Sequence, residues 1–159
     1  MLLAHVKLFL QNLYPIMPVF DTSAALLDCG SPETLSPERY AFLVALSATA
    51  HLQLNLDEVS GTSADPGVSG ENLINEAVQT LQQFDPLQAP HTDSLLTFFF
   101  LFCANGNLGK EHYAWHYLSQ SISFAYILNL NKEASYANLS QSDAETRRRI
   151  YWLLFVTER

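Results

Sequence analysis

The chain has 159 residues, 48% of them hydrophobic and 12% aromatic, with a formal net charge of −8. That length and apolar content suffice for a packed core and exclude a disordered chain. The acidic balance excludes a module that draws its affinity from neutralising phosphates, because such a module needs a basic face. Charged residues make up only 15% of the chain, against an average of about 25%, which predicts surface normally covered by more chain or by a partner. Cys29 and Cys103 form no disulfide framework and no CxxC zinc spacing, although one bridge between them stays open; a reducing compartment is expected. Met1-Leu2-Leu3-Ala4-His5-Val6-Lys7 has neither a basic n-region nor a small-residue cleavage site, so it does not read as a signal peptide. The longest apolar run, 95–104, is about half of what spans a bilayer, so no membrane contact is expected.

In chain order the pattern is helical, with almost no period-2 alternation. Residues 3–13 read as a first helix, ended by Pro15 and Pro18, with 15–21 extended because each proline disfavours helix in the residue before it. Thr22 is the expected cap of a short helix over 23–27. Ser36-Pro37-Glu38 is a strong start for a helix reaching about Leu54, apolar on most sides and therefore central. Residues 60–70 are rich in Gly and Ser, and a mobile connection is expected within 57–70. Leu73, Ala77 and Leu81 then recur every four residues on the buried face of an amphipathic helix. Thr92 or Asp93 should cap a helix through Phe98-Phe99-Phe100-Leu101-Phe102, stopped in the left-handed conformation at Asn105-Gly106. A helix over 110–129 returns antiparallel to it. Ser142-Asp143-Ala144-Glu145 reads as the capping box of a last helix.

In that last helix Arg147, Arg148 and Arg149 lead into Ile150-Tyr151-Trp152-Leu153-Leu154-Phe155, and neither Gly, Asn nor Pro follows before Arg159. The absence of a stop signal predicts a pattern that continues. The expected fold is all-α, an irregular multi-helix bundle of about six helices, truncated at its C-terminus.

Three stretches carry a family resemblance: 8–21 with Tyr14-Pro15 and Pro18-Val19-Phe20-Asp21; 97–131 with Asn105-Gly106, Ala114-Trp115 and Leu128-Asn129-Leu130; and 140–159 with its arginines and Trp152. In this order they are similar to the N-terminal part of the middle homology region of fungal binuclear zinc-cluster transcription factors, the fungal-specific transcription factor domain. The family usually has Gly and then His where this chain has Asn129 and Asn131. Asn is the second-best residue for a left-handed helix end, so Asn129 preserves that geometry. The resemblance implies that residues 1–159 are a partial regulatory domain in the nucleus, with DNA contacted only through a separate module. It also implies zinc only in a six-cysteine cluster absent from this segment, with no cofactor here. The expected partners are the rest of the same factor and a small-molecule effector or co-regulator.

His112 and His116, four apart on one helix, are the metal candidates, but two ligands do not close a zinc site and Glu111 lies off their face. His5, His51 and His91 have no partner in sequence, and Asp57, Glu58, Asp143 and Glu145 read as loop and cap residues. Without a nucleophile triad or a phosphate loop, the chain is not read as an enzyme. Arg147, Arg148 and Arg149 fan around a helix, so ion pairs to carboxylates, a structural role, are expected before a phosphate patch. Phe98, Phe102, Trp115, Tyr151 and Trp152 could line a ligand cavity, although aromatic residues at helical spacing are more often core. Asn138-Leu139-Ser140 matches a glycosylation pattern by chance. Two rivals remain. One is a tetratricopeptide-like hairpin scaffold built on 92–129, against which no repeat period recurs. The other is a helical metalloenzyme using His112 and His116, which would need ligands on a facing helix.

Overall fold

The computed structural model describes residues 1–59 and 68–159. Among these residues there is no strand, and the helices are α1 (Leu2–Asn12), α2 (Thr22–Asp28), α3 (Pro37–Gln53), α4 (Leu56–Val59), α5 (Gly70–Leu81), α6 (Thr92–Asn107), α7 (Glu111–Ile127) and α8 (Gln141–Glu158). Short 3-10 turns lie at Pro32–Thr34 and Glu133–Tyr136. Six of the helices exceed ten residues, in line with the expected all-α bundle of about six. Residues 60–67, most of the connection expected to be mobile, lie outside the described residues; at its edges Leu56–Val59 is helical and Gly70 already opens α5.

Helix ends follow local chemistry, and several differ from the expected residues. Asp21, not Thr22, caps α2, its carboxylate accepting the Ala24 N–H at 3.0 Å; a carboxylate is the stronger cap. His91, not Thr92 or Asp93, caps α6 through Nδ1, which accepts the Asp93 N–H at 3.0 Å. The Asp93 carboxylate is instead drawn to Arg39. Asn105 does not stop α6, because its amide donates to the Leu101 carbonyl within the helix at 2.8 Å. Gly109 takes the left-handed position (φ 72), and Gly109 and Lys110 donate to the Gly106 and Asn105 carbonyls, the two bonds of a Schellman end. Asn129 (φ 55) does the same for α7, as expected, with Asn129 and Leu130 donating to Tyr126 and Ala125. The capping residue of α8 is Ser140, two positions before Ser142, and its hydroxyl accepts the Asp143 N–H at 3.1 Å. Leu139 before it and Ala144 after it both join the core, the pairing of a hydrophobic staple, which favours a start at Ser140 over the expected Ser142. Residues 13–16 turn before the chain leaves α1, so the segment through Pro15 is not extended from its start.

Packing centres on α3, which meets α6 and α5 extensively and α1 as well; α6 continues the stack to α7, and α8 touches α7 more sparsely. Phe9, Phe20, Phe42 and Phe100 close a ring of four aromatic contacts at centroid distances of 5.5–6.1 Å, joining α1, the segment before α2, α3 and α6. Such tilted and edge contacts are the favoured aromatic geometry. Buried hydroxyls stitch α3 and α7 to α6: Thr49 donates to the Phe100 carbonyl at 2.8 Å, and Ser121 to the Leu95 carbonyl at 3.1 Å. Both cysteines are free.

Candidate functional site

A cleft of about 420 Å³ opens where α2, the start of α6 and the start of α8 converge. Its inner wall is built on Arg39, a lone cation in the first turns of α3. Arg39 forks to Asp28 of α2 (Nε to Oδ2, 2.7 Å) and Asp93 of α6 (Nη1 to Oδ1, 3.2 Å), and its guanidinium lies 5.1 Å from the centroid of the Phe42 ring. The planar fork is what lets one side chain hold two helices. His91 stands beside it, 3.5 Å from Asp93 through Nδ1. The outer wall comes from α8: Ser142, Asp143, Thr146 and Arg147. Phe20, Leu96, Leu139 and Ile150 supply apolar lining. Among the described residues, neither the half-buried Arg147 nor the carboxylate of Asp143 has an ion-pair partner.

The residues singled out from sequence fall in several places. Arg148 and Arg149 pair with carboxylates: Arg148 with Glu133 (Nε 3.0 Å, Nη2 2.5 Å) while lying over the Tyr136 ring, and Arg149 with Glu145 at 3.3 Å. Arg147 instead lines the cleft. The five aromatic residues do not surround one cavity. Phe98 is buried against Phe124 and Tyr117, and Phe102 is half-buried beside Phe99. Trp115 and Trp152 are 62% and 61% exposed, and Tyr151 edges a crevice of about 30 Å³ with Tyr126 and Phe155. Neighbours on a helix diverge by about 100°, so Tyr151 and Trp152 cannot both face inward. His112 and His116 are exposed, and His116 meets Gln120 at 3.2 Å. Among the described residues, no three His, Cys, Asp or Glu side chains gather as a metal site requires.

A family model described as the fungal specific transcription factor domain matches residues 6–159. The chain belongs to that family. Similar relatives include the probable sucrose utilization protein SUC1 of Candida albicans, 33% identical over 76% of this chain and 24% of its own length. The maltose fermentation regulatory proteins MAL33 and MAL13 of Saccharomyces cerevisiae are 29% and 26% identical, each over 97% of this chain and 32% of their own length. The chain thus spans a quarter to a third of these relatives. No solved structure matches it significantly.

Two polar constellations of this fungal transcription-factor domain escaped the sequence reading. One is the Arg39 fork, whose only signal was an isolated charge in an apolar helix. The other is a buried chain in which His5 Nδ1 meets the Met1 carbonyl at 3.0 Å, His5 Nε2 meets His51 Nδ1 at 2.9 Å, and His51 Nε2 meets Asp57 Oδ1 at 2.7 Å. With acceptors at both ends, making all three bonds takes three N–H protons on two imidazoles, so the pair then carries one positive charge. Burial first, then the neighbouring His51, hold the His5 pKa below its ordinary value. No spacing rule relates residues so far apart in sequence.

Proposed function

We propose that this domain is the regulatory portion of a fungal zinc-cluster transcription factor that controls genes of carbohydrate use. It acts in the nucleus and leaves DNA contact to a separate module. The observation that carries the reading is the family match over 6–159, together with relatives named for maltose fermentation and sucrose utilization. The net charge of −8 supports it, since a phosphate-binding surface needs the opposite sign. So does the cysteine chemistry. Two thiols cannot supply a binuclear cluster, and burial raises both pKa values, that of Cys103 to about 12, away from the thiolate that zinc takes. In this reading the zinc belongs to another part of the factor.

In this reading the helical domain holds the activator inactive until an effector shifts its conformational balance. An effector can do so only through different affinities for the two states. The test is deletion of this domain from the intact factor, read by a reporter gene with and without maltose or sucrose. Constitutive, sugar-independent expression is expected; sugar dependence that survives the deletion overturns the proposal.

A further inference from the structure

We propose that the cleft between α2, α6 and α8 is the effector site, and that it takes a neutral polyhydroxylated ligand, a sugar of one or two rings. The inference deepens the regulatory reading given above and rests on it. The charge and hydrogen-bonding balance of the lining selects such a ligand.

Two guanidiniums, Arg39 and Arg147, share the cleft with four carboxylates, Asp21, Asp28, Asp93 and Asp143. The cleft is net acidic, so an anionic ligand meets repulsion. Most of these charges are already committed. Arg39 is held by Asp28 and Asp93, and Asp21 accepts the Ala24 N–H. Among the described residues two groups on α8 are left: the Arg147 guanidinium, which only donates, and the Asp143 carboxylate, which only accepts. A hydroxyl is donor and acceptor together, so vicinal hydroxyls can accept from Arg147 and donate to Asp143. A simple cation would satisfy the acid and leave the guanidinium opposed, and a simple anion would do the reverse.

The remaining lining fits the same ligand. Thr146 and Ser142 offer hydroxyls that can donate or accept. His91 accepts the Asp93 N–H with Nδ1, so its neutral tautomer carries the proton on Nε2, a further donor. The half-buried Leu139 offers apolar surface to the C–H face of a ring, above a floor formed by the buried Phe20, Leu96 and Ile150. The volume of about 420 Å³ lies within the usual range of about 300–1,000 Å³ for small-ligand pockets.

The position supplies regulation. One wall is tied into the core by the Arg39 fork, while the other belongs to α8, which packs only sparsely on α7. A ligand bridging the two walls adds contacts that exist only when α8 is docked, and this differential affinity is what shifts a conformational balance.

The test is isothermal titration calorimetry of the chain with maltose and sucrose, with inorganic phosphate as the anionic control. Saturable one-to-one binding of at least one sugar is expected, about tenfold or more weaker in Arg147→Gln because a charge-assisted bond is lost. Binding should vanish in Ser142→Trp, which fills the mouth of the cleft and removes no ion pair. Both variants are checked by circular dichroism, and if Arg147→Gln fails to fold, Ser142→Trp decides. Sugar affinity unchanged in the folded variants places the site elsewhere and overturns the inference. No binding of either sugar, or phosphate binding more tightly than sugar, also overturns it. The reporter separates the two proposals. Sugar-dependent expression without binding here sinks the cleft and leaves the regulator, whereas binding here with a sugar-indifferent intact factor sinks the regulator and leaves the cleft.

Discussion

Helices α3 and α8 are of nearly equal length, and each contains a long apolar stretch, yet they are buried very differently. Eleven of the 17 residues of α3 are buried, but only Ala144, Ile150 and Leu154 of the 18 in α8. Trp152 and Val156 stand exposed and Phe155 is at the margin, although Tyr151-Trp152-Leu153-Leu154-Phe155 reads in sequence as core. The difference is the number of neighbours. α3 has α1, α5 and α6 against it, while α8 rests on α7 and one side of the cleft. Apolar character shows what a helix can bury; the layer it occupies decides what it does bury.

The largest contrast should come from truncating one aromatic residue in each region. Phe100 is fully buried and contacts Phe9, Phe42 and Phe99, so Phe100→Ala should cost about 3–5 kcal/mol in urea unfolding. Trp152→Ala should stay within about 0.5 kcal/mol. Equal losses would break the comparison.

The same contrast holds for arginines. Arg39→Met removes two hydrogen bonds to charged, partly buried partners and leaves Asp28 and Asp93 without their shared cation, at about 2 kcal/mol. Arg39→Lys should recover only part of this, because an ammonium lacks the fork. Arg149→Met breaks an exposed pair and should change stability by less than about 0.5 kcal/mol.

Two glycines sharpen it further. A Cβ on Gly70 would lie 2.3 Å from the Leu52 side chain, so Gly70→Ala must push Leu52 aside, at about 1–3 kcal/mol. Gly106, inside α6 with nothing within 4 Å of an added Cβ, should gain about 0.5–1 kcal/mol from Gly106→Ala. Opposite signs in thermal melts are the expected result.

The smallest effect is the pH dependence contributed by His5, within the α1–α3 contact. Its folded pKa is lowered, so the folded state binds fewer protons than the unfolded chain, whose histidine titrates near the ordinary value of 6.5. The stability linked to His5 is present above 6.5 and is lost as pH falls from there through the folded value. Melting temperatures should drop across that window, and His5→Gln should flatten the slope. An unchanged slope would show that the His5, His51 and Asp57 chain accepts the second proton without cost.

Much of the fold was legible in particular residues. Ser36-Pro37 starts α3 as expected, with the Ser36 hydroxyl accepting the Arg39 N–H, and Asn129 ends α7 in the left-handed conformation. These signals are local, since cap and helix end lie within a few residues. The capping residues of α6 and α8 were misplaced because competing polar residues lay nearby, and the choice fell to distant partners: Arg39 drew off Asp93, and the core drew in Leu139. The cleft was hardly legible. Arg147 and Asp143 were visible as helix residues, but nothing in their spacing placed them opposite Arg39 and His91.

By itself, the sequence determined the all-α class, the order of the long helices and the family, because periodicity, caps and motif order act over a few residues or along the chain. Only the tertiary structure decided which apolar helix lies inside, which of three consecutive arginines faces a cleft rather than a carboxylate, and that His5 meets His51. Those outcomes depend on contacts between residues far apart in sequence, and side-chain direction and burial are settled only when the helices pack.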